Sequence, residues 1–191
     1  MARFVERRTG PLFCLYTSRG PRFKLPVRLQ PNRDYVSNDD IPTPRPLAHA
    51  LVDLLKPTGR ILEPCCGDGA FLEALPPGTE WCEIKFGRDF LQWSSGPVDW
   101  IITNPPWRQI RAFLRQSFSI SRTVAFLMTV NHAWTRARLR DADEGGFSLS
   151  RIILVDTPQA FPQSGFQLGM VVYTKEHRGA IELSDLRAQR Y

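Results

Sequence analysis

At 191 residues, with 42% hydrophobic and 23% charged side chains and a net charge of +6, the chain has room for one core and not for a catalytic domain plus a second full-sized recognition domain. No apolar run is long enough to cross a bilayer, and no apolar segment follows the basic start MARFVERRTG as a secretory signal requires, so a cytoplasmic protein without a membrane partner is expected. Cys14, Cys65, Cys66 and Cys82 show neither CxxC nor Cys/His spacing, which argues against a zinc site or a disulfide framework and for reduced thiols and no metal.

The first 34 residues hold eight basic side chains against Glu6 and Asp34, so this arm carries the whole net charge and the remaining 17 basic and 17 acidic residues cancel. A basic arm on a neutral body fits a polyanionic partner, because neutralised phosphates release counterions. A solvated arm that only aids solubility is equally compatible with the charge. Within it, residues 12–17 form a short apolar run, residues 18–21 give a turn signal, and Phe23, Leu25, Val27 and Leu29 alternate with Lys24, Pro26 and Arg28, the pattern of a β-hairpin. Pro26 makes the second strand an edge strand.

Residues 32–46, rich in Asn, Asp and Pro, read as a linker, and Leu47, Leu51, Leu54 and Leu55 then mark an amphipathic helix. Strands are expected at 60–63, 80–84, 98–103, 123–130, 151–156 and 168–174, with helices at 70–75 and 110–118. Such alternation predicts an α/β fold with a mostly parallel sheet covered by helices on both faces. The loop between the last two strands contains Pro158, Pro162 and Gly165 and predicts a hairpin, hence one antiparallel strand. The chain divides into a basic arm (1–40), a catalytic domain (41–178) and a tail (179–191).

Two stretches carry chemistry. In ILEPCCGDGAF (61–71) a strand ends on an acidic residue and runs into two glycines that open a helix. Ligands of open α/β sheets bind at the carboxyl ends of the strands, where Gly67 and Gly69 let the backbone approach a nucleoside, although glycines also serve plain tight turns. Glu83 at the end of the next strand stands where a carboxylate can accept both hydroxyls of a ribose, or is simply an exposed strand-end acid. Asp89 can accept from an adenine amino group beside the wall of Phe90, or cap a helix whose Phe90 and Leu91 face the core. The second stretch, VDWIITNPPW (98–107), is an apolar strand that stops at Asn104 followed by Pro105, Pro106 and Trp107. The prolines fix φ and withhold N–H donors, so Asn104 is held rigidly and nearby carbonyls stay free to accept. The Asn104 side-chain oxygen and the Pro105 carbonyl can each take one hydrogen of an exocyclic amine, and Trp107 can stack on its ring. An amine drawn out of conjugation in this way has its lone pair available for attack on a methyl sulfonium, with no metal needed.

On these residues the chain resembles the S-adenosylmethionine-dependent amino-methyltransferases, especially DNA adenine-N6 methyltransferases. The matching stretches are IPTPRPLAHALVDLL (41–55), EPCCGDGAF (63–71), RDFL (88–91), TNPPW (103–107) and FPQSGFQLGMVVYTKE (161–176). The resemblance implies a Rossmann-like methyltransferase fold, a seven-stranded, mostly parallel sheet with an antiparallel C-terminal hairpin. It implies that Thr43 and Pro44 lie near the methionine carboxylate of S-adenosylmethionine and that Glu63, Gly67 and Gly69 surround the methionine moiety. Glu83 is then expected on the ribose, Asp89 on the adenine amino group, Phe90 on the adenine ring or its edge, and Asn104, Pro105, Pro106 and Trp107 in the catalytic loop. Only Ile84, Lys85, Phe86, Gly87 and Arg88 separate Glu83 from Asp89, so the helix usually found between strands two and three is absent.

His132 and Trp134 follow the fourth strand and precede a basic run, RARLR, with Arg136, Arg138 and Arg140, which either tracks phosphates or is solvated; Asp141, Asp143 and Glu144 behind it suggest a mobile loop over the site. Cys65 and Cys66 read as packing residues. The leading expectation is methylation of the adenine N6 amine in DNA after base flipping, because a stacked duplex hides that amine. Nucleic acid is the expected partner, held by the basic arm and the 136–140 run, with low or modest sequence specificity because phosphate contacts position a duplex without reading it. RNA adenine-N6 methylation is the alternative and protein glutamine methylation the next. A binding module on an inactive methyltransferase fold would be expected to lose Asn104 or the two glycines, and both are present.

Overall fold

The computed structural model describes residues 41–187; the basic arm with its expected hairpin lies outside them. Helix α1 (Arg45–Leu55) leads into strand β1 (Ile61–Glu63), helix α2 (Ala70–Ala74) and strand β2 (Glu80–Trp81). Strand β3 (Trp100–Thr103), helix α3 (Ile110–Ile120), strand β4 (Thr123–Thr129), helix α4 (Arg136–Gly145) and strands β5 (Phe147–Leu154), β6 (Leu168–Lys175) and β7 (Glu182–Asp185) follow. The seven strands form one sheet in the order β2-β1-β3-β4-β6-β5-β7. The pairs β1–β2, β1–β3, β3–β4 and β5–β7 are parallel. β6 runs antiparallel to both β4 and β5, so the expected C-terminal hairpin is present.

Alternation along the strands sorts the core into two layers. Ile101, Val124, Phe126, Met128, Val171 and Tyr173 pack toward α3 and α4. Their neighbours Ile102, Ala125, Leu127, Met170 and Val172 pack toward α1 and α2. Every residue of β4 is buried, as a strand covered on both faces requires. Leu47, Leu51 and Leu55 form the buried stripe of α1, each worth roughly 1.5–3 kcal/mol of apolar burial.

Three expectations are corrected. The second strand ends at Trp81 rather than continuing to residue 84; a single bridge between Glu83 and Arg88 and two short 3-10 turns, Ile84–Phe86 and Phe90–Gln92, fill the connection to β3. Arg60 braces this shortened connection, its guanidinium donating to Glu80 Oε1 (2.6 Å), Ser95 O (2.8 Å) and Pro97 O (2.9 Å). The basic run at 136–140 is not a mobile loop but the first half of α4, which the nearly buried Asp141 ties to Arg111 on α3 at 2.7 and 3.0 Å. The stretch expected as a tail supplies the seventh strand, β7, held beside β5 by its backbone and by Arg151, which reaches Glu182 (2.9 Å) and Ser184 (3.0 Å).

β1 is flanked by β2 on one side and β3 on the other. The chain therefore leaves β1 in one direction and returns on its far side, which opens a crevice at the carboxyl ends of β1 and β3. Glu63 and Thr103 are the last residues of those two strands.

Candidate active site

A cavity of about 390 Å³ opens at that crevice, with Thr43, Gly67, Glu83, Asp89, Phe90 and Asn104 in its wall. Pro106 also faces it, whereas Pro44, Glu63, Gly69, Pro105 and Trp107 lie outside the wall. Four chain segments that are separated in sequence thus meet at one concave surface of a size that suits a small ligand.

The turn after β1 takes its shape from its glycines. Gly67 (φ +52°) and Gly69 (φ +89°) occupy the left-handed region, and a Cβ built on Gly67 would meet no atom within 4 Å. Backbone conformation, rather than crowding within the protein, demands glycine at 67 and leaves the turn open to a ligand. The Gly67 amide donates to Glu83 Oε2 at 2.8 Å and the Lys85 amide to Glu83 Oε1 at 3.1 Å. Glu83 is buried but not spent, since a carboxylate can accept about four hydrogen bonds.

Asp89 takes the capping role that its sequence position allowed. Its Oδ1 accepts from the Leu91 amide at 2.9 Å, capping the 3-10 turn Phe90–Gln92, and the residue still borders the cavity. Phe90 is a core residue packed on Phe113, ring centroids 5.1 Å apart at 42°, and it also borders the cavity.

Beneath the wall, Glu63 is 1% exposed. The Thr103 hydroxyl donates to its Oε1, while Oε2 is buried with no partner among the described residues. Burial pushes the Glu63 carboxyl up to about 8, against the opposing hydrogen bonds from Thr103 and the Cys65 amide. Cys65 extends the chain of contacts: its Sγ lies 2.9 Å from Thr103 Oγ1 and 3.3 Å from the Asn104 carbonyl oxygen. Burial, reinforced by the Glu63 carboxyl, holds this thiol well above its ordinary range, so it stays a neutral S–H. The Asn104 side chain donates from Nδ2 to the Ile41 carbonyl at 3.1 Å. That bond fixes which end of the amide is the donor and leaves Oδ1 as an acceptor without a partner among the described residues.

Trp107 opens a 3-10 turn (Trp107–Gln109) and lies half-buried beside Phe161 of the β5–β6 loop, centroids 6.1 Å apart at 57°. His132 sits in the turn that ends β4, its pKa lowered by burial and by Arg138, and its Nδ1 is buried without a partner among the described residues. Sequence reasoning missed three participants. Ile41 contributes only a backbone carbonyl, which no residue type announces. Thr103 and Cys65 were placed on the strand end and in the turn, but only the packing of β1 against β3 turns them into a link between Glu63 and the Asn104 backbone.

No protein-family model matches the chain, and no curated protein does either. Solved structures do. A candidate RNA methyltransferase from Pyrococcus horikoshii is 18% identical, with a TM-score of 0.53 over 71% of this chain and 83% of that one. A candidate class I S-adenosylmethionine-dependent methyltransferase from Listeria monocytogenes is 14% identical, with a TM-score of 0.55 over 80% and 68%. The M protein of the type I restriction enzyme EcoKI is 16% identical, with a TM-score of 0.55 over 76% of this chain and 48% of the M protein, so the chain spans about half of that relative. The fold is shared with these solved Rossmann-like S-adenosylmethionine-dependent methyltransferase structures.

Proposed function

We propose that the protein transfers a methyl group from S-adenosylmethionine to the N6 amine of adenine in DNA, with low or modest sequence specificity. The observation that carries this reading is the Asn104 side chain, clamped through Nδ2 and free at Oδ1, at the wall of the cavity that the glycine turn also borders. The residues present fit the cofactor. The open turn at Gly67 admits a close backbone approach, Glu83 retains acceptor positions for ribose hydroxyls, and Asp89 and Phe90 border the place for an adenine. Thr43, in the wall of the cavity, suits the charged methionine end.

When bound, S-adenosylmethionine supplies a methyl group on a cationic sulfur, an electrophile for an amine lone pair. Asn104 Oδ1 and the Pro105 carbonyl accept the two amine hydrogens and draw the nitrogen toward a tetrahedral geometry. Charge would develop on the nitrogen as the N–C bond forms and the sulfur–methyl bond breaks, with the neutral thioether as leaving group, so these two acceptors would bind the transition state more tightly than the ground state. The surplus proton then leaves the methylated amine for solvent. Trp107, with Phe161 behind it, offers the aromatic face against which an unstacked base is held.

Two of the similar structures match the nucleic-acid reading, the M protein being that of a restriction enzyme and the Pyrococcus protein a candidate RNA methyltransferase. Incubating the full chain with methyl-labelled cofactor and, separately, duplex DNA, single-stranded DNA, RNA and protein tests the proposal. Label is expected in DNA, recovered as N6-methyladenine. Label confined to RNA or to protein glutamine, or carried on cytosine, would overturn it.

A further inference from the structure

Seven large hydrophobic side chains are exposed among the described residues, and only two of them are aromatic: Trp134 at 50% and Phe166 at 57%. Both stand at the carboxyl end of the sheet. Trp134 follows the turn Val130–His132 that ends β4, and Phe166 lies in the loop that leads into β6. The Val130 amide donates to the Gln167 carbonyl at 2.8 Å, so the two aromatic-bearing segments are clipped together. The same β5–β6 loop places Phe161 against Trp107 and so borders the catalytic loop.

Exposed arginines stand beside these rings, with the exposed acids Asp143 and Glu144 farther along α4. Arg136 and Arg140 on α4 are exposed and have no ion-pair partner among the described residues. Asp141, the acid next to them, is spent on Arg111 and Arg115 of α3. Asn131 Oδ1 and His132 Nδ1, just before Trp134, are buried with no hydrogen-bond partner among the described residues. A monomer gains nothing by exposing two aromatic rings beside unpaired arginines, whereas a nucleic-acid strand offers π-faces for the rings and phosphates for the guanidinium groups.

We infer that Trp134 and Phe166 form a stacking rim for the nucleotides flanking the target base, with Arg136 and Arg140 on the adjoining phosphates. The inference rests on the nucleic-acid reading above and adds to it the residues that grip the strand outside the catalytic pocket. A base extracted from its stack leaves both neighbours with an uncovered face, and an exposed ring from the protein replaces the missing stacking. These contacts tolerate any base, in keeping with low sequence specificity.

The test uses the full chain saturated with S-adenosylhomocysteine, so that binding proceeds without transfer, and oligonucleotides with a single adenine and 2-aminopurine on either side of it. Wild-type protein is expected to change the fluorescence of both flanking positions. Trp134→Ala and Phe166→Ala are each expected to weaken binding about tenfold or more, on the scale of base–aromatic stacking. Trp134→Phe should restore most of the affinity, and the thermal shift caused by the cofactor should match wild type in all three variants. Alanine variants that bind within about twofold of wild type, or a wild-type protein that binds no oligonucleotide, overturn the inference. Binding that depends on both rings without methyl transfer to any acceptor upholds the rim and refutes the proposed reaction instead.

Discussion

Replacing Glu63 with glutamine isolates the cost of a buried carboxyl at the end of β1. The group is 1% exposed, and burial raises it from 4.5 to about 8. A folded-state pKa above the unfolded one means that the protonated carboxyl is compatible with the fold and the charged one is not. Its contribution is therefore fully present below about 4.5 and is lost as pH climbs to about 8, beyond which nothing more is lost. At about 1.36 kcal/mol per unit, the stretch from about pH 6 to pH 8 removes roughly 2–3 kcal/mol from the wild type. Glutamine keeps the shape and a polar contact to Thr103 but does not titrate. For a domain of this size 1 kcal/mol moves Tm by roughly 2–4 °C, so raising the pH from about 6 to about 9 should lower the wild-type Tm by roughly 5–10 °C more than that of Glu63→Gln. Thermal unfolding of both proteins without cofactor, followed by circular dichroism across that range, measures the difference directly. Parallel Tm–pH curves would show that the Glu63 carboxyl is solvated or already ionised in the fold, and the reasoning from its burial would fail.

Asn104→Ala should reduce kcat for methyl transfer by about 10²–10³-fold or more while the cofactor-induced thermal shift persists, because the missing oxygen acts on developing charge in the amine; isothermal calorimetry and single-turnover transfer separate the two. Cys65→Ala should lower kcat with cofactor affinity unchanged, and Cys65→Ser, which restores a donor toward Thr103 and the Asn104 carbonyl, should recover it; equal rates in all three proteins would remove Cys65 from the site's support. Asp141→Asn should destabilise by about 1–2 kcal/mol in chemical denaturation, since its carboxylate is nearly buried and bidentate to a half-exposed Arg111, whereas Asp185→Asn in the exposed, solvent-screened pair with Arg187 should leave the denaturation midpoint unchanged. Deleting residues 1–34 should weaken nucleic-acid binding for every sequence and flatten its salt dependence by about 0.9 for each phosphate the arm no longer neutralises; unchanged affinity and slope in a folded truncation would make the arm a solvated segment.

The parts of the fold that were legible in sequence are those whose residue types are forced. β1 and β3 announce themselves because an apolar run must end before Glu63-Pro64 and before Asn104-Pro105, and Gly67 and Gly69 because their positive φ admits little else. α4 and β7 were not legible for the opposite reason. RARLRDADEG buries only Asp141 and Ala142, so its helix shows no apolar stripe and is held by Ala142 in the core and by Asp141, which pairs with Arg111 and Arg115 of α3. ELSD has no buried residue at all; backbone pairing to β5 and the reach of Arg151 make it a strand. Likewise the orientation of Asn104 depends on the Ile41 carbonyl, 63 residues earlier, a contact that belongs to the tertiary fold and leaves no mark on the sequence.

The short connection between β2 and β3 determines how the two carboxylates reach the cavity. With no helix to carry them, each is fixed by amides of the cavity's own rim: Glu83 by Gly67 and Lys85, Asp89 by Leu91. Those bonds orient the oxygens locally and use only part of their accepting capacity, which leaves both groups preorganised and still able to bind. The connection in turn hangs on Arg60, whose guanidinium joins Glu80 to the carbonyls of Ser95 and Pro97 and whose amide holds Asp99 Oδ2 at 2.8 Å. Apolar burial shares the load: Cys82, just before Glu83, and Phe90, just after Asp89, are both buried in the core, and the Cys82 amide donates to the Glu63 carbonyl at 2.8 Å. The two carboxylates are thus held between core anchors on either side and the Arg60 clamp behind them.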